Sequence, residues 1–352
     1  MFFPLAGKSA DKNPAPGSII LSTDHKFTPT EVALSEVRRQ ILASYTPKNL
    51  VTAVVINRSP DSKRRPVQVA AISNNSLQKK LSARSAIVID ARTGEEIYSQ
   101  NPDRPSQPAS TIKVLTSLIA MDYLKNNSLV PVSNWAASMP RSKIYLQQGK
   151  SYYANDLINA VLLASANDAS VALAEKIAGS ESGFAKLMTQ KAREIGASKT
   201  ICKTASGLTA KGQQTTARDL ALIFKEAMEY QEFADRIKLI KTKTSYGKTI
   251  RSHNKALWQI SGAQGGKTGY TWAAKQTYVG KFSRNGEEIL VAILGSRNMW
   301  SDIAKLVEYG FNRKEQIRMA AREQDNTITQ DQTTPVQPAL VVLTETKKAE
   351  KL

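Results

Sequence analysis

The sequence predicts an α+β fold, an antiparallel sheet flanked by helices with a mostly helical lobe, on three observations. Strand-like runs stand at both ends of the central region, Ser85 to Asp90 with Glu96 to Ser99, and Thr277 to Phe282 with Ile289 to Leu294. Helical periodicity dominates between them, from Ser110 to about Tyr230. Turn signals at Thr93-Gly94 and Asn285-Gly286 join the strands in pairs. Strands from both ends that meet in one sheet leave the helices between them to cover it.

Taken in order, residues 1–25 mix Pro, Gly, Ser, Asp and Lys without period and read as an irregular leader. Residues 26–83 form an N-terminal extension of unassigned role. It holds a predicted helix from Thr28 to Ser44, with Thr28 or Thr30 as cap, and two β-branched runs, Val51 to Ile56 and Val67 to Ile72. Those runs make either a small hairpin appendage or a piece packed on the main domain. The main domain spans 84–314. Leu115, Leu118 and Ile119 share a face in its first helix, and Leu157 to Ile177 is a long, largely apolar helical stretch. A closing helix is expected from Ser301 to Phe311. Residues 315–352 read as a polar, mobile tail apart from the apolar piece Ala339 to Leu343.

Composition narrows the class. At 352 residues, 41% hydrophobic and 22% charged, the chain matches ordinary globular proteins and not collagenous, coiled-coil or disordered ones. No apolar run approaches the ~20 residues of a membrane helix, so a membrane anchor is not evident. Met1 to Leu5 are apolar but lack a basic n-region and a longer h-region, so no signal peptide is readable. A single cysteine, Cys202, excludes an intrachain disulfide, and with only His25 and His253 besides, neither a metal site nor a cofactor is expected.

The net charge of +19 attracts polyanions: nucleic acid, anionic lipid and acidic wall polymers all qualify. A solvated basic face without a dedicated partner explains it equally well. No nucleic-acid motif is present, and no nucleic-acid partner is expected.

The chemistry lies in three ordered motifs: Ser110-Thr111-Ile112-Lys113, Ser165-Ala166-Asn167 and Lys267-Thr268-Gly269. Each is weak alone. Ser-x-x-Lys also occurs at Ser9, Ser76, Ser245 and Ser252, and Ser-x-Asn at Ser73, Ser99, Ser252, Ser283 and Ser296. Context selects among them. Ser110 follows Pro108-Ala109 and opens an apolar helix, one turn from Lys113 on the same face. Ser165 breaks an apolar helical stretch, where a plain helix N-cap by Ser165 or Asn167 is the competing explanation. Lys267-Thr268-Gly269 could equally be a turn after Gly265-Gly266.

With those residues in that order, the chain resembles the low-molecular-mass penicillin-binding D-alanyl-D-alanine carboxypeptidases. The likeness covers about 84–314 and includes Ser-Ala-Ile-Val-Ile-Asp-Ala from Ser85, Pro-Ala-Ser-Thr-Ile-Lys from Pro108, Ser-Ala-Asn-Asp from Ser165, Ala-Ser-Gly-Leu from Ala205, Thr-Ala-Arg-Asp from Thr216 and Gly-Gly-Lys-Thr-Gly-Tyr-Thr from Gly265.

The resemblance implies a β-lactamase/transpeptidase-like fold and a serine-type D-Ala-D-Ala carboxypeptidase acting on peptidoglycan stem peptides through an acyl-enzyme. β-Lactam antibiotics would be covalent inhibitors. Ser110 would be the nucleophile, Lys113 its base and Ser165 a proton relay to the departing amine. Asn167 would hold the substrate's backbone amide, and Lys267 and Thr268 its terminal carboxylate. Gly269 would let the peptide lie close to its strand, and the N–H groups of Ser110 and Tyr270 would form the oxyanion hole. Arg297 would be a further carboxylate contact or a solvated surface residue. A neutral lysine base at pH 7 needs its pKa lowered by about 3 from ~10.4, roughly 4 kcal/mol.

A D,D-endopeptidase of the same fold, cutting crosslinks, and a non-catalytic wall-binding protein are the alternatives. A class A β-lactamase would need a glutamate to activate the deacylating water. No glutamate occurs from Ile195 to Lys225. The substrate implies a periplasmic or other extracytoplasmic location.

Overall fold

The computed structural model describes residues 74–331, with side chains to Arg322. The leader, the helix expected from Thr28, the two β-branched runs and the apolar piece from Ala339 lie outside the described residues.

Helix α1 (Asn74–Gln78) leads into strands β1 (Ser85–Asp90) and β2 (Glu96–Gln100). A 3-10 turn, Ala109–Ile112, runs directly into α2 (Lys113–Tyr123). Next come β3 (Leu129–Pro131), α3 (Asn134–Ser138), β4 (Ser151–Tyr153), α4 (Ala154–Leu162), α5 (Asn167–Ala178) and α6 (Glu181–Glu194). Helices α7 (Ala217–Glu229) and α8 (Gln231–Ile237) precede the small strands β5 (Lys241–Lys243) and β6 (Thr249–Arg251) and helix α9 (Ala256–Gln259). The chain closes with β7 (Ala263–Thr271), β8 (Lys275–Arg284), β9 (Glu287–Ser296) and α10 (Met299–Asp331).

Five strands form one antiparallel sheet in the order β2-β1-β9-β8-β7, so the two ends of the domain do meet, Ala86 pairing with Ile293. Both faces of its centre are covered. Ile87, Ile89, Leu290, Ala292 and Leu294 pack toward the helical lobe, while Val88, Ile289, Val291 and Ile293 pack with Ile303, Leu306 and Val307 of α10. Burial on both faces explains why β1 and β9 read as continuous apolar runs and not as alternating ones. Asn285 and Gly286 have φ of 52° and 78°, the left-handed pair that a two-residue hairpin turn requires.

One expectation changes. The helix expected over 301–311 begins at Met299 and continues to Asp331, so residues 315–331 of the expected tail are helical. The break expected at Ser165 is present: the stretch from Leu157 to Ile177 is two helices, parted at Leu163–Ala166 with Ser165 at φ 57°. The Thr216 side chain caps α7 by accepting from Asp219 N, so the Thr-Ala-Arg-Asp patch is a helix start.

Candidate active site

The 3-10 turn, the start of α5 and strand β7 converge on a cavity of about 420 Å³ lined by Ser110, Ser165, Asn167, Thr268, Gly269 and Tyr270 among others. All three motifs therefore reach one place. The competing explanations for the second and third do not hold. The N-cap of α5 is Ala166, without a side-chain cap bond, and Lys267 to Gly269 lie inside β7 and not in a turn.

Lys113 is fully buried, and its Nζ has three neighbours: Ser110 Oγ at 2.9 Å, Asn167 Oδ1 at 2.7 Å and Ser206 O at 2.5 Å. A neutral amine has two N–H donors and one lone pair. The two donors match Asn167 Oδ1 and the Ser206 carbonyl, which only accept, and the lone pair is left for the Ser110 hydroxyl proton. Burial, and then the Lys267 charge, hold the Lys113 pKa well below the ordinary lysine value, against the weaker opposing pull of Asp168 and Glu181. The same three contacts would also suit the three donors of an ammonium, so it is burial and the Lys267 charge that favour the neutral amine.

Lys267 is also buried. It donates to Ser165 Oγ at 2.9 Å and to Thr268 O at 3.0 Å, and burial lowers its pKa to about 7. Two of the three donors of its ammonium are thus engaged by Ser165 and its own strand, while Thr268 and Tyr270 face the cavity.

Asn167 lines the cavity and is also engaged within the protein. Its Nδ2 donates to Pro140 O at 3.0 Å and Arg141 O at 3.1 Å, so both of its N–H donors tie down the cavity wall at 140–142. Gly269 is needed for a reason the sequence did not show. A Cβ there would stand 2.7 Å from Ser110 N and 2.5 Å from Thr277 Oγ1, so it permits β7 to approach the turn that carries Ser110.

Arg297 is exposed and does not line the cavity. Of the other Ser-x-x-Lys serines, Ser245 donates its hydroxyl to Asp156 at 2.6 Å. Ser206, Pro140 and Arg141 were missed. They act through backbone carbonyls, which every residue type carries, so no residue-type signal could mark them. No aspartate or glutamate among the described residues lines the cavity. Among the described residues, no group of three or more His, Cys, Asp or Glu could hold a metal ion, and no helix is long and apolar enough to cross a membrane.

The family model described as D-alanyl-D-alanine carboxypeptidase matches residues 72–298. The chain belongs to the D-alanyl-D-alanine carboxypeptidase family. Among curated members of that family, it is 34% identical over 240 residues to DacB2 of Mycobacterium tuberculosis, covering 65% of this chain and 82% of the relative. It is 31% identical over 260 residues to DacF of Bacillus subtilis, covering 69% of this chain and 65% of the relative. The match therefore spans somewhat less than two thirds of DacF.

The crystal structure of the Mycobacterium tuberculosis D-alanyl-D-alanine carboxypeptidase superimposes with a TM-score of 0.62 at 33% identity, over 66% of this chain and 91% of that one. A Listeria monocytogenes penicillin-binding protein in its ampicillin-bound form does so at 0.60 and 28%, over 66% and 98%. The carboxypeptidase fold is the α+β arrangement expected from the strand and helix order.

Proposed function

We propose that the chain is a serine-type D-Ala-D-Ala carboxypeptidase that removes the terminal D-alanine from peptidoglycan stem peptides, with residues 84–314 as its catalytic domain. The observation that carries this reading is the buried Lys113 side chain, its Nζ 2.9 Å from Ser110 Oγ and held there by Asn167 Oδ1 and the Ser206 carbonyl.

Ser110 Oγ attacks the carbonyl of the penultimate D-alanine as its proton passes to Lys113. The developing oxyanion is held by the N–H groups of Ser110 and Tyr270, where loss of one donor typically costs about 2.7–4 kcal/mol. The C–N bond breaks, the departing amine takes a proton through Ser165, and water then cleaves the Ser110 ester. Lys267 keeps Ser165 oriented and adds positive charge beside the terminal carboxylate, which Thr268 contacts. Asn167 orients Lys113 and holds the 140–142 wall. β7 is the last strand of its sheet, so an extended stem peptide can lie along its outer edge.

A β-lactam presents a ring-strained amide to Ser110, and its leaving nitrogen stays tethered to the acyl group where D-alanine would depart. The tethered group keeps water from the ester, which should persist. A peptidoglycan substrate places the protein outside the cytoplasm.

Labelling with a fluorescent penicillin, native against Ser110→Ala, tests the nucleophile. Labelling that survives the change removes Ser110 from the role. Purified crosslinked and uncrosslinked muropeptides then separate the activities. Free D-alanine supports the carboxypeptidase, cut crosslinks without D-alanine support an endopeptidase, and neither product leaves a non-catalytic wall protein.

A further inference from the structure

A second groove, of about 450 Å³, opens on the helical lobe where β4, residues 144–147 and the β5–β6 hairpin meet. Three tyrosines present their rings to solvent in it: Tyr145 is 56% exposed, Tyr153 43% and Tyr246 42%. Tyr152 packs edge-on against Tyr246, with ring centres 5.1 Å apart. Lys150 and Lys248 line the groove, and among the described residues no carboxylate does, although Asp156 lies buried behind it, accepting from Ser245. Lys248 and Lys143 stand 5.2 Å and 5.5 Å from the centre of the Tyr145 ring. Residues 237–255 contain basic side chains at 238, 241, 243, 248, 251 and 255 and no acidic one.

The fold works to present one of these rings. Tyr145 has φ of 60°, a left-handed conformation that a bulky residue rarely adopts and that structures retain mainly where it serves a site. The fully buried Asp168 carboxylate holds it there, accepting from Ile144 N and Leu146 N on either side at 3.1 Å. Lys248 Nζ adds a 2.5 Å bond to Ile144 O. Asp168 directly follows Asn167, which ties down the 140–142 wall of the catalytic cavity. One short segment, gripped by adjacent residues at the start of α5, therefore borders both sites.

Exposed tyrosine faces suit the C–H faces of sugar rings, and lysines suit carboxylate or phosphate groups between them. We infer that this groove binds an acid-bearing glycan of the cell wall, with sugar rings on Tyr145, Tyr153 and Tyr246 and acid groups on Lys150 and Lys248. Choosing a wall glycan rests on the peptidase reading above; affinity for an acidic sugar polymer does not. A strand held here would have its stem peptides presented along 141–145 toward Ser110.

Binding is measured with Ser110→Ala protein, which cannot turn ligand over. The ligands are soluble peptidoglycan chains with intact stems, strands stripped of stems, a phosphate-bearing wall glycopolymer, and polyglutamate as a sugar-free polyanion. Tyr145→Asn, Tyr153→Ser and Lys150→Gln are added together, asparagine being chosen because it tolerates the left-handed backbone. The combined change should weaken at least one glycan by about tenfold and leave polyglutamate much less affected. In the Ser110 background it should lower kcat/KM on polymeric peptidoglycan by a similar factor and keep D-alanine release from a short acyl-D-Ala-D-Ala peptide within about twofold.

Unchanged glycan binding in the combined variant overturns the proposal, as does polyglutamate binding that matches the best glycan and falls with it. Should the native chain release no D-alanine from any substrate, the peptidase reading fails while the binding comparison still decides the groove.

Discussion

Lys267 Nζ donates to Ser165 Oγ across 2.9 Å, linking the outermost sheet strand to a helix start 102 positions earlier in the chain. Ser165 meets it only because its backbone turns to φ 57° between two helices. Replacing Ser165 with glycine relieves that conformation and removes the hydroxyl. Ser165→Gly should remain folded, with an unchanged melting temperature or a slightly higher one, and lose about 10²-fold or more in kcat for a D-Ala-D-Ala peptide.

The two lysines set opposite limbs of the pH profile. Lys113 must be neutral, so kcat/KM falls as pH drops through its lowered pKa. Lys267 must be charged to attract the carboxylate, so KM rises as pH climbs through about 7. A bell-shaped profile of kcat/KM is expected, its limbs belonging to the pair jointly. A flat profile from pH 5 to pH 10, measured by D-alanine release, would contradict it.

The same burial affects stability. Lys267 titrates near 7 when folded and near ~10.4 when unfolded, so between those values the unfolded chain binds more protons. Its contribution therefore disfavours the fold below that window and is relieved as pH rises through it, by up to about 1.4 kcal/mol per pH unit. Urea midpoints at pH 7 and pH 9 should show a smaller rise in Lys267→Met than in the native chain. Equal rises would mean that Lys267 is charged when folded.

Asn167→Asp places a carboxylate where Oδ1 now meets Lys113 at 2.7 Å. An adjacent negative charge favours the ammonium, so the acid limb of kcat/KM should move to higher pH. The variant also loses both Nδ2 bonds to the 140–142 wall, and Asn167→Ala separates the two effects. Alanine should lower kcat without that upward movement.

Gly269→Ala would push a methyl group to within 2.7 Å of Ser110 N. The 3-10 turn must shift to accept it, at a cost of about 1–3 kcal/mol. Penicillin acylation rates should fall by about 10²-fold, because a displacement of that order moves Ser110 off line. An unimpaired acylation rate would show that the turn yields without disturbing the nucleophile.

Motif order, helical context and flanking patches were enough to select Ser110, Ser165 and Lys267 from many chemically similar decoys. Periodicity placed β1 from Ser85 to Asp90 and set the hairpin at Asn285-Gly286, since side-chain burial and turn geometry are local consequences of residue type. The extent of α10 was less legible. Its polar continuation beyond 314 carries no apolar face to mark it as a helix.

Sequence alone thus determined the fold class, and it singled out Ser110 and its neighbour Lys113 one turn away. Only the tertiary structure decided which groups surround them: the Ser206 carbonyl on Lys113, the engagement of Asn167 with the cavity wall, and that of Lys267 with Ser165. Those outcomes depend on backbone carbonyls, on close approach across more than 50 residues and on collective burial. None of these is a property that a residue carries by itself.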